Sequence, residues 1–205
     1  MRSLAAARGA ARAAVIAAAA SVALCACSQG SPHFNNMDIS GVPYAAGFTL
    51  TDQDGKRRSL ADFRGKVVSV FFGYTQCPDV CPTTLAEMKA VRDKLGTDAG
   101  RLQVVFITVD PERDTPALLK NYVAAFDPTF IGLTGTPEEI ATVAKDFKVF
   151  YEKVPGSVPG QYTMNHTAGS YVFDPAGHIR LFVRHGQGTD VLASDIRTLL
   201  EEKRG

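Results

Sequence analysis

Apolar positions along this chain fall into two rhythms, and the changes between them mark its elements. Residues 67–74 are a compact run of β-branched and aromatic side chains, which predicts a strand buried on both faces. Leu85, Met88, Val91 and Leu95 then recur at the spacing of one apolar helix face. The βα succession returns with a strand over 102–109 and a helix over about 116–126. It returns again with a short strand over 130–133 and a helix running to Phe147. That helix opens at Thr136-Pro137-Glu138-Glu139, a polar cap with proline at the first position. Residues 150–153 predict a further strand, and the Gly/Pro-rich stretch 154–160 a turn. Strands over 169–173 and 178–183 are joined by Asp174-Pro175-Ala176-Gly177, a hairpin signal. A last helix begins near Asp190, with Val191, Leu192, Ile196, Leu199 and Leu200 as its inner face. Ahead of all these, Phe48-Thr49-Leu50-Thr51 followed by Asp52-Gln53-Asp54-Gly55 predicts an early strand and hairpin turn.

An early hairpin, three βα units, an antiparallel pair and a final helix predict an α/β fold, a central mixed sheet flanked by helices. The right-handed crossover rule places the strand at 102–109 beside that at 67–74. This is a thioredoxin-like architecture with an added N-terminal hairpin. Ligands in such sheets gather at the carboxyl ends of the strands. The loop after residue 74 and Asp110 both leave from those ends, so they should be neighbours.

The loop after the first long strand carries the candidate chemistry. Cys77 and Cys81 are each followed directly by proline. Pro82 suits the first position of the next helix, and a residue before proline is pushed away from helical angles. Both cysteines are therefore expected in the loop, their thiols facing a helix N-terminus whose partial positive charge favours thiolate. Four readings compete: two small core residues, a closed zinc site, a thiol–disulfide enzyme, and an open soft-metal site. Loop prolines argue against the first, and the lack of a second downstream cysteine pair against the second. Three intervening residues, where the familiar redox loop has two, weigh on the third.

Composition is that of an ordinary globular domain, 45% hydrophobic and 21% charged over 205 residues. The net charge of +1 includes Arg2, Arg8 and Arg12 of an acid-free leader; without them 19 basic residues face 21 acidic ones. Nothing there predicts a nucleic-acid partner. The apolar stretch 13–24 is shorter than the roughly 20 residues that span a bilayer and matches a signal-peptide core. Leu24-Cys25-Ala26-Cys27 resembles a bacterial lipobox, which makes Cys27 the acylated first residue of the mature chain. The expected organisation is a lipoprotein signal peptide over 1–26, a flexible tether over 27–43 and one domain over 44–205. His33 then lies solvated in the tether. The compartment is oxidising, so Cys77 and Cys81 need an outside reductant.

His166, in Tyr162-Thr163-Met164-Asn165-His166-Thr167, precedes the strand that opens the hairpin and should face the cysteines. Two thiolates and an imidazole form a set of mixed softness, sulfur suiting Cu(I) and imidazole Cu(II). FFGYTQCPDVCPTTLAEM, TVDPERDTP, FIGLTG and YTMNHTAGSYVFDPAG resemble the corresponding stretches of the Sco/SenC family of copper-binding assembly proteins. The similarity covers nearly everything from residue 38 to about 183. It implies one copper ion per chain, held as Cu(I) or Cu(II) by Cys77, Cys81 and His166. It also implies as partner the CuA centre of cytochrome c oxidase subunit II, with an upstream copper donor. Many members use a transmembrane helix where this chain shows a lipobox, which puts it on a membrane, facing the periplasm.

Around these three, Asp110 is read as an acceptor or charge partner behind the metal, or as a residue that only closes its turn. Arg113 and Asp114 are read as surface charges and Asp79 as a solvated turn. Met164 is read as core, and His178 and His185 as exposed. Two functions remain, a copper metallochaperone and a thiol–disulfide reductase that keeps the cysteines of the CuA site reduced. A pure reductase has no need of His166.

Overall fold

The computed structural model describes residues 32–202. Its strands are β1 (Met37–Asp38), β2 (Thr49–Asp52), β3 (Arg57–Ser59), β4 (Val67–Gly73), β5 (Leu102–Thr108), β6 (Ile131–Thr134), β7 (Tyr151–Pro155), β8 (Tyr162–His166), β9 (Gly169–Phe173) and β10 (Ile179–Arg184). Its α-helices are α1 (Val80–Leu95), α2 (Pro116–Ala124), α3 (Pro137–Asp146) and α4 (Thr189–Glu201). Eight strands form one mixed sheet in the order β1-β10-β9-β4-β5-β6-β2-β3. β4 pairs in parallel with β5, from Val67 opposite Leu102 to Gly73 opposite Thr108, and β6 joins β5 in parallel. The remaining pairs are antiparallel. The expected hairpin is β2–β3, held at the sheet edge by β2 on β6.

β4 and β5 are buried at every residue because both faces of the sheet are covered. Alternation along β4 sends neighbouring residues to opposite sides. Phe72 meets Phe147 and Tyr171 edge-on, with ring centroids 5.2 and 6.3 Å apart. Ser69, Phe71 and Gly73 lie on the other face. There the buried Ser69 hydroxyl donates to Met88 Sδ of α1 at 3.5 Å, and Phe71 packs on Phe106 at 6.1 Å. α3 starts as its sequence predicts. Thr136 Oγ1 accepts from the Glu139 amide at 3.2 Å, while Glu139 Oε2 accepts from the Thr136 amide at 2.9 Å.

Three expectations are corrected. α1 begins at Val80 with Asp79 as its cap, so Cys81 lies in the first helical turn and Pro82 is the third helical residue. All of the first four helical N–H groups lack intrahelical partners, so proline is tolerated there and does not push the start back. Residues 154–168 are not only turn and loop. β7 and β8 form a two-stranded ribbon outside the main sheet, with Tyr151 opposite His166, so His166 ends a strand. Half of the ribbon's residues are exposed and only Met164 is buried, which leaves no alternation to read.

The expected tether also ends early. Phe34, Asn36 and Ile39 are buried, and β1 pairs with β10. Asp195, a buried acid on the inner side of α4, explains why so polar a stretch is fixed. Its Oδ1 accepts from the Asn35 amide at 2.9 Å and Asn35 Nδ2 at 2.8 Å. Its Oδ2 accepts from the Asn36 amide and Asn36 Nδ2, both at 2.8 Å. Asp195→Ala strands these donors and is expected to cost about 2–3 kcal/mol, or roughly 4–12 °C in Tm. Thermal unfolding beside the exposed control Ser194→Ala checks this; equal melting would show that the clamp carries no net stability. His33 is exposed, as expected. The leader, Cys25 and Cys27 lie outside the described residues.

Candidate metal centre

β4 delivers the chain to the site and Gly73 makes room for it. A Cβ built on Gly73 would sit 2.7 Å from Cys81 Sγ and 2.8 Å from Phe106 Cε2, so no side chain fits between the strand and the sulfur. The loop then turns on a bond from the Cys77 amide to the Tyr74 carbonyl, 3.2 Å long. Cys77 is left half-buried and Cys81 fully buried, both as free thiols. The backbone amide of Cys81 points at Cys77 Sγ from 3.5 Å, so the helix terminus serves the outer sulfur.

His166 comes to the pair from the ribbon, its Nε2 3.6 Å from Cys81 Sγ. Its Nδ1 lies 3.1 Å from the Thr167 carbonyl, which can only accept, so Nδ1 carries the proton and the Nε2 lone pair faces the sulfur. Phe71 and Tyr74 hold the ring edge-on, each with its centroid 6.0 Å away. Burial holds the imidazole below its ordinary pKa, which keeps it neutral and fit to ligate. One donor atom from each of Cys77, Cys81 and His166 lies within 4.8 Å of the other two. A metal reaching sulfur at about 2.3 Å and nitrogen at about 2.0 Å spans such a triangle with small adjustments.

The thiolate expectation fails for Cys81. Burial pushes its thiol well above the ordinary range, and its sulfur faces Gly73 and Phe106 rather than the helix amides. A coordinated metal reverses this, since a ligating thiol is deprotonated outright.

Asp110 is buried but bonds none of the three donors. Its Oδ1 accepts from the Tyr162 hydroxyl at 2.9 Å, and its Oδ2 accepts from Arg113 Nε. The reading of Arg113 and Asp114 as surface charges is overturned. Asp114 is 1% exposed and accepts from the Thr75 amide at 3.0 Å, and from the Thr75 and Thr108 hydroxyls at 2.6 Å each. Thus Asp114, rather than Asp110, ties the cysteine loop to the end of β5. Burial raises its carboxyl pKa. The Arg113 guanidinium stacks on the Tyr162 ring, 3.6 Å from its centroid. Met164 is buried, as expected, and lines an open cleft of about 340 Å³ with Cys77 and His166. Asp79 and His178 are exposed; His185 is exposed too, its Nδ1 3.2 Å from Thr84 Oγ1. Sequence reasoning passed over Gly73, Tyr74, Thr167 and Tyr162. Only the run of polar residues straight after the apolar β5 hinted at buried polar partners.

A sequence profile of the SCO1/SenC family matches residues 38–201. The chain belongs to the SCO1/SenC family. The mitochondrial SCO2 homolog of Bos taurus is 37% identical over 152 residues, covering 73% of this chain and 57% of that protein. The chain spans 56–60% of the length of this and two other mammalian relatives. The structure of Bradyrhizobium japonicum ScoI with copper bound is 44% identical, covers 75% of this chain and 97% of that one, and superposes with a TM-score of 0.69. BsSco is 27% identical, covers 83% of this chain and 99% of its own, and gives a TM-score of 0.59. It is described as having a disulfide switch and as a member of the Sco family of cytochrome c oxidase assembly proteins. These likenesses carry the thioredoxin-like α/β fold expected from element order. Among the described residues no helix is long and apolar enough to cross a membrane.

Proposed function

We propose that this SCO1/SenC chain is a metallochaperone that binds one copper ion through Cys77, Cys81 and His166 and carries it as cargo to the CuA centre of cytochrome c oxidase subunit II. The carrying observation is the meeting of two thiols and a lone pair-bearing imidazole nitrogen within 4.8 Å. Sulfur donors suit Cu(I) and imidazole suits Cu(II), so the set holds either state. Copper bound in the ScoI relative supports the choice of metal. Anaerobic titration of the reduced protein is expected to saturate at one equivalent and, with Cu(II), to show a thiolate-to-metal charge-transfer band. Binding that survives replacement of both Cys77 and Cys81 by Ser would overturn this function. An upstream copper donor loads the site, and a separate thiol reductant keeps it open to metal.

One observation favours a thiol–disulfide reductase as the second reading. Cys77 is the accessible sulfur, facing the Cys81 amide, whereas Cys81 is buried behind it. Cys77 thiolate would attack a partner disulfide to form a mixed disulfide. Cys81 would then displace the partner's remaining sulfur, leaving a Cys77–Cys81 disulfide and a partner reduced by two electrons. That disulfide and bound copper exclude each other.

Acylation of Cys27 at the lipobox-like Leu24-Cys25-Ala26-Cys27 would hold the protein on a membrane facing the periplasm. Cys27→Ser is expected to abolish membrane retention or block processing, and Cys25→Ser to do neither. Intact mass of the membrane-extracted chain decides it; a mature chain starting elsewhere, without acyl mass, rules the lipid out.

A further inference from the structure

The metal donors come from two separately hydrogen-bonded bodies. The sulfurs sit on the loop after β4 and the first turn of α1, whereas His166 sits on the β7–β8 ribbon. Beside the contacts of His166 with Cys81 and Thr167 and of the Tyr74 side chain with the Met164 backbone, three hydrogen bonds tie the ribbon's strands to one short loop. Lys153 donates to Glu112 at 2.7 Å, an exposed pair. The Tyr162 hydroxyl donates to Asp110 at 2.9 Å. Arg113 Nη1 donates to the Tyr162 carbonyl at 2.9 Å.

Arg113 also reaches the sulfur side. Its Nη1 donates to Gln76 Oε1 at 3.2 Å, one residue before Cys77, and its guanidinium lies 5.8 Å from the centroid of Tyr74. Tyr74 is in turn one of the two rings that hold His166 edge-on. The fully buried Asp110 carboxylate fixes the guanidinium through Nε, and the side chain is only 21% exposed. Nη2 is buried and has no hydrogen-bond partner among the described residues. Its neighbours hold this fork in place even with the two N–H groups of Nη2 left over.

We propose that Arg113 is the positioning residue of the metal centre: by joining Tyr162 of the ribbon to Gln76 and Tyr74 of the cysteine loop, it sets the reach of His166 toward the two sulfurs. The inference rests on the copper-binding reading. Arg113 touches no donor atom, so its influence runs through His166 and spares the Cys77–Cys81 pair.

Arg113→Ala in the reduced chain is expected to lower Cu(II) affinity by about 10–100-fold, the usual loss when a ligand's outer support is removed. Cu(I) affinity should stay within about threefold, because two thiolates still hold it. Arg113→Lys keeps the charge without the planar fork and should lose nearly as much. Tyr162→Phe keeps the stack but not the hydroxyl and should fall between; it guards against a folding failure of the Arg variants. In a His166→Ala background, Arg113→Ala should cost no further Cu(II) affinity. Equal losses in both backgrounds, or equal losses of Cu(I) and Cu(II), would overturn the proposal. A metal-free measurement separates this inference from the copper reading. Proton–proton cross-relaxation between the His166 and Tyr74 rings should weaken in Arg113→Ala; if it persists unchanged, Arg113 does not position the ring. If the unaltered protein bound no copper, the copper reading would fall while the ring measurement still decided the role of Arg113.

Discussion

His166→Ala is expected to cost at least about 100-fold in Cu(II) affinity, close to 2.7 kcal/mol, while Cu(I) loses no more than about tenfold. The substitution removes the nitrogen whose lone pair faces Cys81 Sγ from 3.6 Å and leaves both thiols and α1 in place. Without the imidazole, two Cu(II) ions each take one electron as the thiolate pair closes into a disulfide, whereas Cu(I) is content with a soft, low-coordinate pair. Thiol–disulfide exchange should change only modestly, since it follows thiolate fraction, leaving group and access. The two readings therefore part in cells. A metallochaperone predicts an oxidase short of copper in the His166→Ala strain, and a reductase predicts a nearly normal one. A full copper centre assembled by that strain at ordinary copper levels would end the delivery reading and install the reductase in its place.

What could be read beforehand follows from where each residue obtains its partners. β4 and β5 announced themselves because they are buried on both faces and so carry apolar side chains at nearly every position. α3 was legible because its start is stabilised locally, by Thr136 and Glu139 three residues apart. Asn35 and Asn36 read as tether because the acid that fixes them, Asp195, lies about 160 residues away. Arg113 and Asp114 read as surface for the same reason, while Asp110 read as a partner behind the metal or a turn closer. Only Thr75, Thr108 and Tyr162, brought in by the fold, make such charges tolerable inside. The three residues that meet at the candidate centre were legible from the Cys-x-x-x-Cys-Pro stretch and its resemblance to a known family. The apparatus that aims them was not. Nor was the thiol chemistry of Cys81, where burial outweighs the helix terminus. A local rule about charge near a helix end says nothing of the ring and strand packed against that sulfur.

Gly73→Ala should damage the centre more broadly than loss of any outer support. The backbone of Gly73 lies outside the left-handed region, so alanine is conformationally acceptable and the conflict is purely one of space. The new methyl would meet Cys81 Sγ at 2.7 Å, Phe106 Cε2 at 2.8 Å and Phe71 Cε1 at 3.0 Å. The two rings pack on each other, and Phe106 also packs on Tyr122 with centroids 5.6 Å apart, so neither ring has free space to retreat into. The strand is held by its parallel pairing to β5 and by the Val109 amide, which donates to the Gly73 carbonyl at 2.8 Å. Overpacking of this kind costs about 1–3 kcal/mol. Of the three, Cys81 is the one small side chain, turning about a single bond, so relief should come from rotating its buried sulfur away from His166. Cu(I) and Cu(II) affinities should then fall together, each by about tenfold or more, unlike the split produced by His166→Ala. Gly100→Ala, where a Cβ meets nothing within 4 Å, serves as the control and should change neither affinity nor melting. Competition titration in both oxidation states, run beside thermal unfolding, decides the matter. A lowered Tm with both affinities intact would show that Phe106 yields instead, and that Gly73 serves the core and not the sulfur.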